Sequence, residues 1–138
     1  MSERTIVLVH GAFADASGFA GVIRELNSAG HPVIAPPNPL RSPASDAADV
    51  PADLADVMSA TQRPLPAAAL TENATAAGWR TRPSWFLVSE HDNAIPPDAE
   101  RFMAKRMGAV TESISGSHTA FIANPVCAAS FITKALAG

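Results

Sequence analysis

The sequence holds one cysteine, Cys127, in 138 residues. A single thiol excludes a disulfide within the chain and any metal site built from several cysteines. With no histidine adjoining it, Cys127 reads as a small apolar residue packed in a helix, with a nucleophilic role as the alternative. Positive charge is also sparse: 10 Lys and Arg against 13 Asp and Glu leave a net charge of −3, so no basic face is available for nucleic acid. The longest apolar runs are strand-sized, and neither a membrane span nor a signal peptide is visible, which makes a cytoplasmic location the expectation. The chain also lacks Gly-x-Gly-x-x-Gly, a phosphate-binding Gly-Lys-Ser/Thr and a histidine pair at metal spacing on one helix. No cofactor and no metal are therefore expected. The apolar fraction of 47% with 17% charged residues suits one globular domain with a single core, spanning 1–138 without repeats or a linker.

The most informative stretch lies at the start. Thr5 to Val9 is a continuous, β-branched apolar run that ends on His10-Gly11 and is followed within a few residues by a helix start. This pattern reads as a buried parallel strand delivering a tight turn at its carboxyl end, where open α/β sheets place their chemistry. Gly11 tolerates backbone angles that let the loop fold back, leaving the Ala12 and Phe13 amides able to hold an anionic oxygen. The plainer reading is that His10-Gly11 only terminates a strand.

Phe19, Val22, Ile23 and Leu26 then recur at i, i+3, i+4 and i+7, the stripe of a helix on a sheet, with Gly30 at its C-terminal stop. His31 behind it reads as exposed. Pro32 to Ala35 is a short second strand, so strand, helix and strand imply a parallel pair with a right-handed crossover. From Leu40 to Arg82 the composition turns to Ala, Pro, Asp and Thr, with one weak helix before Pro64 and another opened by Pro66.

Ser84 to Val88 restores strand character, and Pro96-Pro97-Asp98 opens a helix whose apolar positions are Ala99, Phe102, Met103 and Met107, stopped at Gly108. Val110 to Ile114 is a fourth strand. Asn124-Pro125 reads as an N-cap followed by proline at N1, and Ala128, Phe131, Ile132 and Ala135 give this last helix its buried stripe. Asp92 and His118 each sit just past one of two successive strands, so a parallel sheet brings both to one edge, at a strand spacing of about 5 Å that permits an Asp-to-His hydrogen bond. Singly, Asp92 also reads as a turn residue and His118 as a surface-loop histidine.

The segments "TIVLVHGAFADASGFAGVIRELNSAGHPVIAPPNP", "FLVSEHDNAIPP" and "ISGSHTAFIANP" resemble the oxyanion loop, acid motif and histidine motif of α/β-hydrolases of the esterase type. The resemblance implies one oxyanion amide at Ala12, an acid at Asp92, a base at His118 and a cap-like segment over 41–82. The family's Gly-x-Ser-x-Gly nucleophile elbow has no counterpart, because no two glycines stand four apart. The chain resembles a hydrolase whose middle is deleted.

The expected fold is therefore α/β: a truncated hydrolase forming a three-layer sandwich with a short, mostly parallel sheet of about four strands. If the gap closes, the strand order is second, first, third, fourth, with Val7 and Val9 in a strand adjacent to that of Phe86 and Val88. If it stays open, apolar strand edges call for a second copy, and a homodimer is the expected state. Three functions remain open: a small carboxylic-ester hydrolase of weak activity, an inactive binder of small acyl compounds, and a dimerising interaction protein. The expected ligand is a small ester or acyl compound, not nucleic acid or membrane. Of the serines, Ser17 is the first to test as a nucleophile, the alternative being a residue of the first helical turn. Ser117 points away from its neighbour's imidazole.

Overall fold

The architecture comes from a computed structural model that describes residues 4–9, 15–36 and 77–138. Strand β1 (Ile6–Val7) pairs in parallel with β2 (Val33–Ile34). Between them lie a 3-10 turn, Ala16–Phe19, and helix α1, Ala20–Ser28. After a second 3-10 turn, Gly78–Arg80, strand β3 (Trp85–Ser89) leads into helix α2 (Pro97–Met107). Strand β4 (Val110–Ile114) then pairs in parallel with β3, from Trp85 opposite Val110 to Ser89 opposite Ile114. A short helix α3 (Ala120–Ala123) and helix α4 (Pro125–Ala137) complete the order. The helical segment inferred before Pro64, the one opened by Pro66, and the His10 to Phe13 turn fall outside the described residues.

Helix ends follow the local chemistry of the sequence. The Asp15 carboxylate accepts the Ser17 N–H at 2.8 Å and caps the first 3-10 turn. At the far end of α1, Gly30 takes φ 83°, its N–H reaches Asn27 O, and the His31 N–H reaches Leu26 O. Gly108, at φ 63°, repeats the pattern after α2, with its own N–H on Lys105 O and the Ala109 N–H on Ala104 O. Both are the paired 6→1 and 5→2 bonds that a left-handed residue makes possible.

The described strands form two separate parallel pairs, β1–β2 and β3–β4, and not the single four-stranded sheet expected. Burial explains the difference. A strand in the middle of a parallel sheet is covered on both faces, but β1 and its flank alternate: Ile6 and Leu8 are buried, while Val7 and Val9 are 56% and 59% exposed. Among the described residues β1 is therefore covered on one face, unlike a central strand of such a sheet. Ile6 and Leu8 pack with Val22 and Leu26 of α1 and with Ala128 and Ala129 of α4, and Leu87 of β3 closes on the same cluster. Helices therefore join the two pairs where a sheet was expected.

Helix α4 buries Ala128, Ala129 and Phe131, near the stripe anticipated for it. Cys127 is exposed and not packed inside, because the adjacent Ala128 and Ala129 occupy the inward face. On α2 the correction is larger. Phe102 is 66% and Met103 36% exposed, and the helix instead turns Glu100 and Ala104 inward. No described helix is long and apolar enough to cross a membrane.

Helices α1 and α4 meet closely at Gly21, where an added Cβ would lie 2.7 Å from Pro125 Cβ. The ring atom cannot rotate away, so Gly21→Ala must push the helices apart. Overpacking of this kind costs about 1–3 kcal/mol, against a helix-propensity gain of about 1 kcal/mol. Thermal unfolding of Gly21→Ala is expected at a lower midpoint than that of the wild type.

Candidate active site

The site assembles where the β3–β4 ladder runs past the ends of its strands. The Glu90 N–H bonds to Ile114 O and the His91 N–H to Gly116 O, both at 3.0 Å. These bonds zip the loop after β3 onto the loop after β4, so the Asp92 and His118 backbones are held by continuation of the sheet. Gly116 turns the second loop at φ 137°, a conformation that L side chains rarely adopt. A Cβ there would also lie 2.9 Å from Ala120 Cβ. Downstream, the Phe121 ring rests on Phe19 with centroids 5.1 Å apart, and the loop is thereby pinned to the turn before α1.

Asp92 performs both roles open to it. Its Oδ1 accepts the Ala94 and Ile95 amides at 2.7 and 2.9 Å, making the turn toward α2. Its Oδ2 lies 2.7 Å from His118 Nδ1. The Asp92 side chain has no solvent exposure, and that of His118 has 39%. Burial alone would push the Asp92 carboxyl up; the hydrogen bond with His118, those from Ile95 and Ala94, and the His118 charge outweigh it and hold the group below 3.8. An ionised Asp92 accepts only, so His118 Nδ1 is the donor of this bond, and in a neutral imidazole Nε2 is then the atom with the lone pair.

Glu100 is the residue that periodicity missed. The apolar residues of α2 are themselves spaced at helical intervals, which pointed to the opposite face. Register explains why a carboxyl is inside. The N–H of Glu90 faces β4, so the N–H of Ser89, one residue back, faces the other edge of β3, which pairs with no strand among the described residues. Buried and without a strand partner there, it needs an acceptor, and Glu100 Oε2 supplies one at 2.8 Å. Burial pushes the Glu100 carboxyl up; the Ser89 N–H opposes this, and the Asp92 charge and hydrogen bond add to it, for a net rise above 4.5. A buried Ser at the end of a strand with a free edge, eleven residues before a Glu on the next helix, was the available signal.

A pocket of about 330 Å³ opens beside these groups, with Phe86, Leu87, Phe121 and Phe131 among its apolar walls and His118 and Glu100 among its polar ones. Asp92, Glu100 and His118 each offer one donor atom within 4.8 Å of the others, a set that the sequence analysis did not foresee. Those donors are already engaged: Asp92 with two amides and the imidazole, Glu100 with Ser89. We assign no metal here.

Ser17 stands apart from this constellation in its bonding, since its hydroxyl donates to Asp15. Gly11, Ala12 and Phe13 lie outside the described residues. Glu90 and His91 are exposed. Comparison of the chain with protein-family models, with curated proteins and with solved structures finds no match.

The Asp92 carboxylate sets an acid limit on stability. A carboxyl held below its ordinary value contributes fully above that value and loses the contribution as pH falls through the folded one, here below 3.8. Asp92→Asn cannot lose that contribution. Urea midpoints measured from about pH 7 down to about pH 3 should show the variant weaker by about 1 kcal/mol at neutral pH and shallower on the acid side.

Proposed function

We propose that the chain is a hydrolase of small carboxylic esters, descended from the α/β-hydrolases that its motifs resemble and weak because no elbow serine is present. The observation that carries this reading is the 2.7 Å contact between His118 Nδ1 and the buried Asp92 carboxylate at the wall of an apolar pocket. An imidazole with its proton fixed on Nδ1 is a base at Nε2. It takes a proton from water as the water oxygen bonds to the ester carbonyl, Asp92 stabilises the resulting imidazolium, and the same proton then passes to the departing alkoxide. The products are an acid and an alcohol. The amides expected from the sequence to hold the oxyanion, those of Ala12 and Phe13, lie outside the described residues. The pocket suits a compact acyl or aryl group.

Water is favoured over Ser17 as the attacking group, because the Ser17 hydroxyl is committed to Asp15. Losing the covalent route forfeits the division of one hard step into two easier ones. A second reading, a binder of small acyl compounds without turnover, rests on the same pocket. Exposed Val7, Val9, Phe102 and Val110 favour a homodimer, and a cytoplasmic setting fits the absence of a spanning helix among the described residues.

Turnover of p-nitrophenyl acetate and butyrate tests the proposal. His118→Ala is expected to lose about 10²- to 10⁴-fold in kcat/KM. Equal rates in the two proteins would rule out the base, and thermal stabilisation by butyrate without turnover would favour the binder. A fluorophosphonate followed by intact-mass measurement reads the serine route: an adduct lost in Ser17→Ala would restore Ser17, and no adduct leaves water as the nucleophile.

A further inference from the structure

Two buried carboxyl groups beside one imidazole raise a question that the esterase reading leaves open, namely which of them carries a proton. Like charges at this separation in a poorly solvated setting do not both ionise readily. Donor counts decide between them. The Asp92 carboxylate receives two backbone amides and the imidazole N–H; Glu100 receives one amide, from Ser89. The anion belongs where three donors converge. Asp92 has two oxygens and about four acceptor positions, so three donors leave room for one more. A Glu100 carboxyl oxygen lies within 4.8 Å of one on Asp92, which makes it the neighbouring acid that can turn a proton toward that position.

We propose that Glu100 is a positioning residue for the general base: as a neutral acid it accepts the Ser89 N–H on one oxygen and donates its own proton to the Asp92 carboxylate from the other. The inference rests on the reading of His118 as base and deepens it. Glu100 acts through Asp92, holding the carboxylate that holds the imidazole. The neutral form matters because a second negative charge would favour the imidazolium and withdraw the base. The charged groups that bear on Glu100 are Asp92 and His118. Its raised carboxyl and the lowered one of Asp92 agree with the donor count. The free edge of β3 thus supplies the buried acid that the site uses.

Two variants separate this role from simple packing. Glu100→Gln keeps the shape, accepts from Ser89 with its carbonyl and donates to Asp92 with its amide. Glu100→Leu keeps most of the volume and makes neither bond. The first readout is infrared: wild type at neutral pH should show the C=O stretch of a protonated carboxylic acid, and Glu100→Gln should lack it. The second is an NMR titration of the His118 ring protons, assigned with His118→Ala. Glu100→Gln should titrate as wild type does, and Glu100→Leu should be displaced. The third is the pH profile of p-nitrophenyl acetate turnover, in which Glu100→Gln should stay within about twofold and Glu100→Leu should lose on the order of tenfold to a hundredfold in kcat. Absence of the acid band, or a downward shift of the His118 titration in Glu100→Gln, would overturn the proposal by showing that Glu100 is charged. So would an unchanged titration and pH profile in folded Glu100→Leu. The infrared and NMR readouts do not need turnover, so loss of the esterase reading leaves them able to judge the protonation of Glu100.

Discussion

Everything described here hangs on the seam between α1 and α4. Two-stranded pairs as short as β1–β2 do not stand alone in water, and among the described residues no strand hydrogen bond joins that pair to β3–β4. What joins them is helix against helix. Gly21 admits the Pro125 ring, Val22 and Leu26 are almost wholly buried, and Ala128 and Ala129 present no bulk that would hold the backbones apart. The small residues on both sides are what bring Ile6 and Leu8 from one pair, and Leu87 from the other, to a common cluster. Burial of that cluster is the favourable term that offsets the ordering of the chain.

The same arrangement leaves β3 with an edge that no strand covers among the described residues, and the polar interior of the site answers that edge. A backbone N–H shut away from water must find an acceptor. Ser89 finds Glu100, and the helix rotates to deliver it, turning Phe102 and Met103 outward. The inward face of α2 thus carries Glu100 and Ala104, with Phe102 and Met103 turned outward. An orphaned buried donor costs about 1–3 kcal/mol, the same order as burying one large apolar side chain at about 1.5–3 kcal/mol, so the Ser89 bond competes with apolar burial in setting that face.

What could be read from the sequence follows from how local each cause is. Strands β3 and β4, the stops at Gly30 and Gly108 and the Asn124-Pro125 helix start all depend on a few neighbouring residues, and the structure places them where the residues indicate. Asp92 and His118 were found together because strand ends in a parallel pair converge. The partition into two pairs was not legible: Ile6-Val7-Leu8-Val9 is apolar throughout, and only the packing partners reveal that alternate members face outward. Glu100 was missed for a similar reason, since the donor that holds it belongs to β3 and is set by register. Cys127 was placed inside because its residue type favours burial, whereas its neighbours on α4 decide which way it faces.

Asn124 precedes Pro125 at the start of α4, yet its side chain makes no cap bond to that helix. It donates instead to Ser115 O at 3.0 Å, in the loop that carries Gly116 and His118. The foot of the longest described helix is thus tethered to the backbone just ahead of the imidazole. The bond, with the short turn of α3 between its two ends, ties the loop and the helix start together. A compound that stills the histidine loop would also steady the first turn of α4, and slower hydrogen exchange would spread from the pocket wall into the seam that joins the two halves of the molecule.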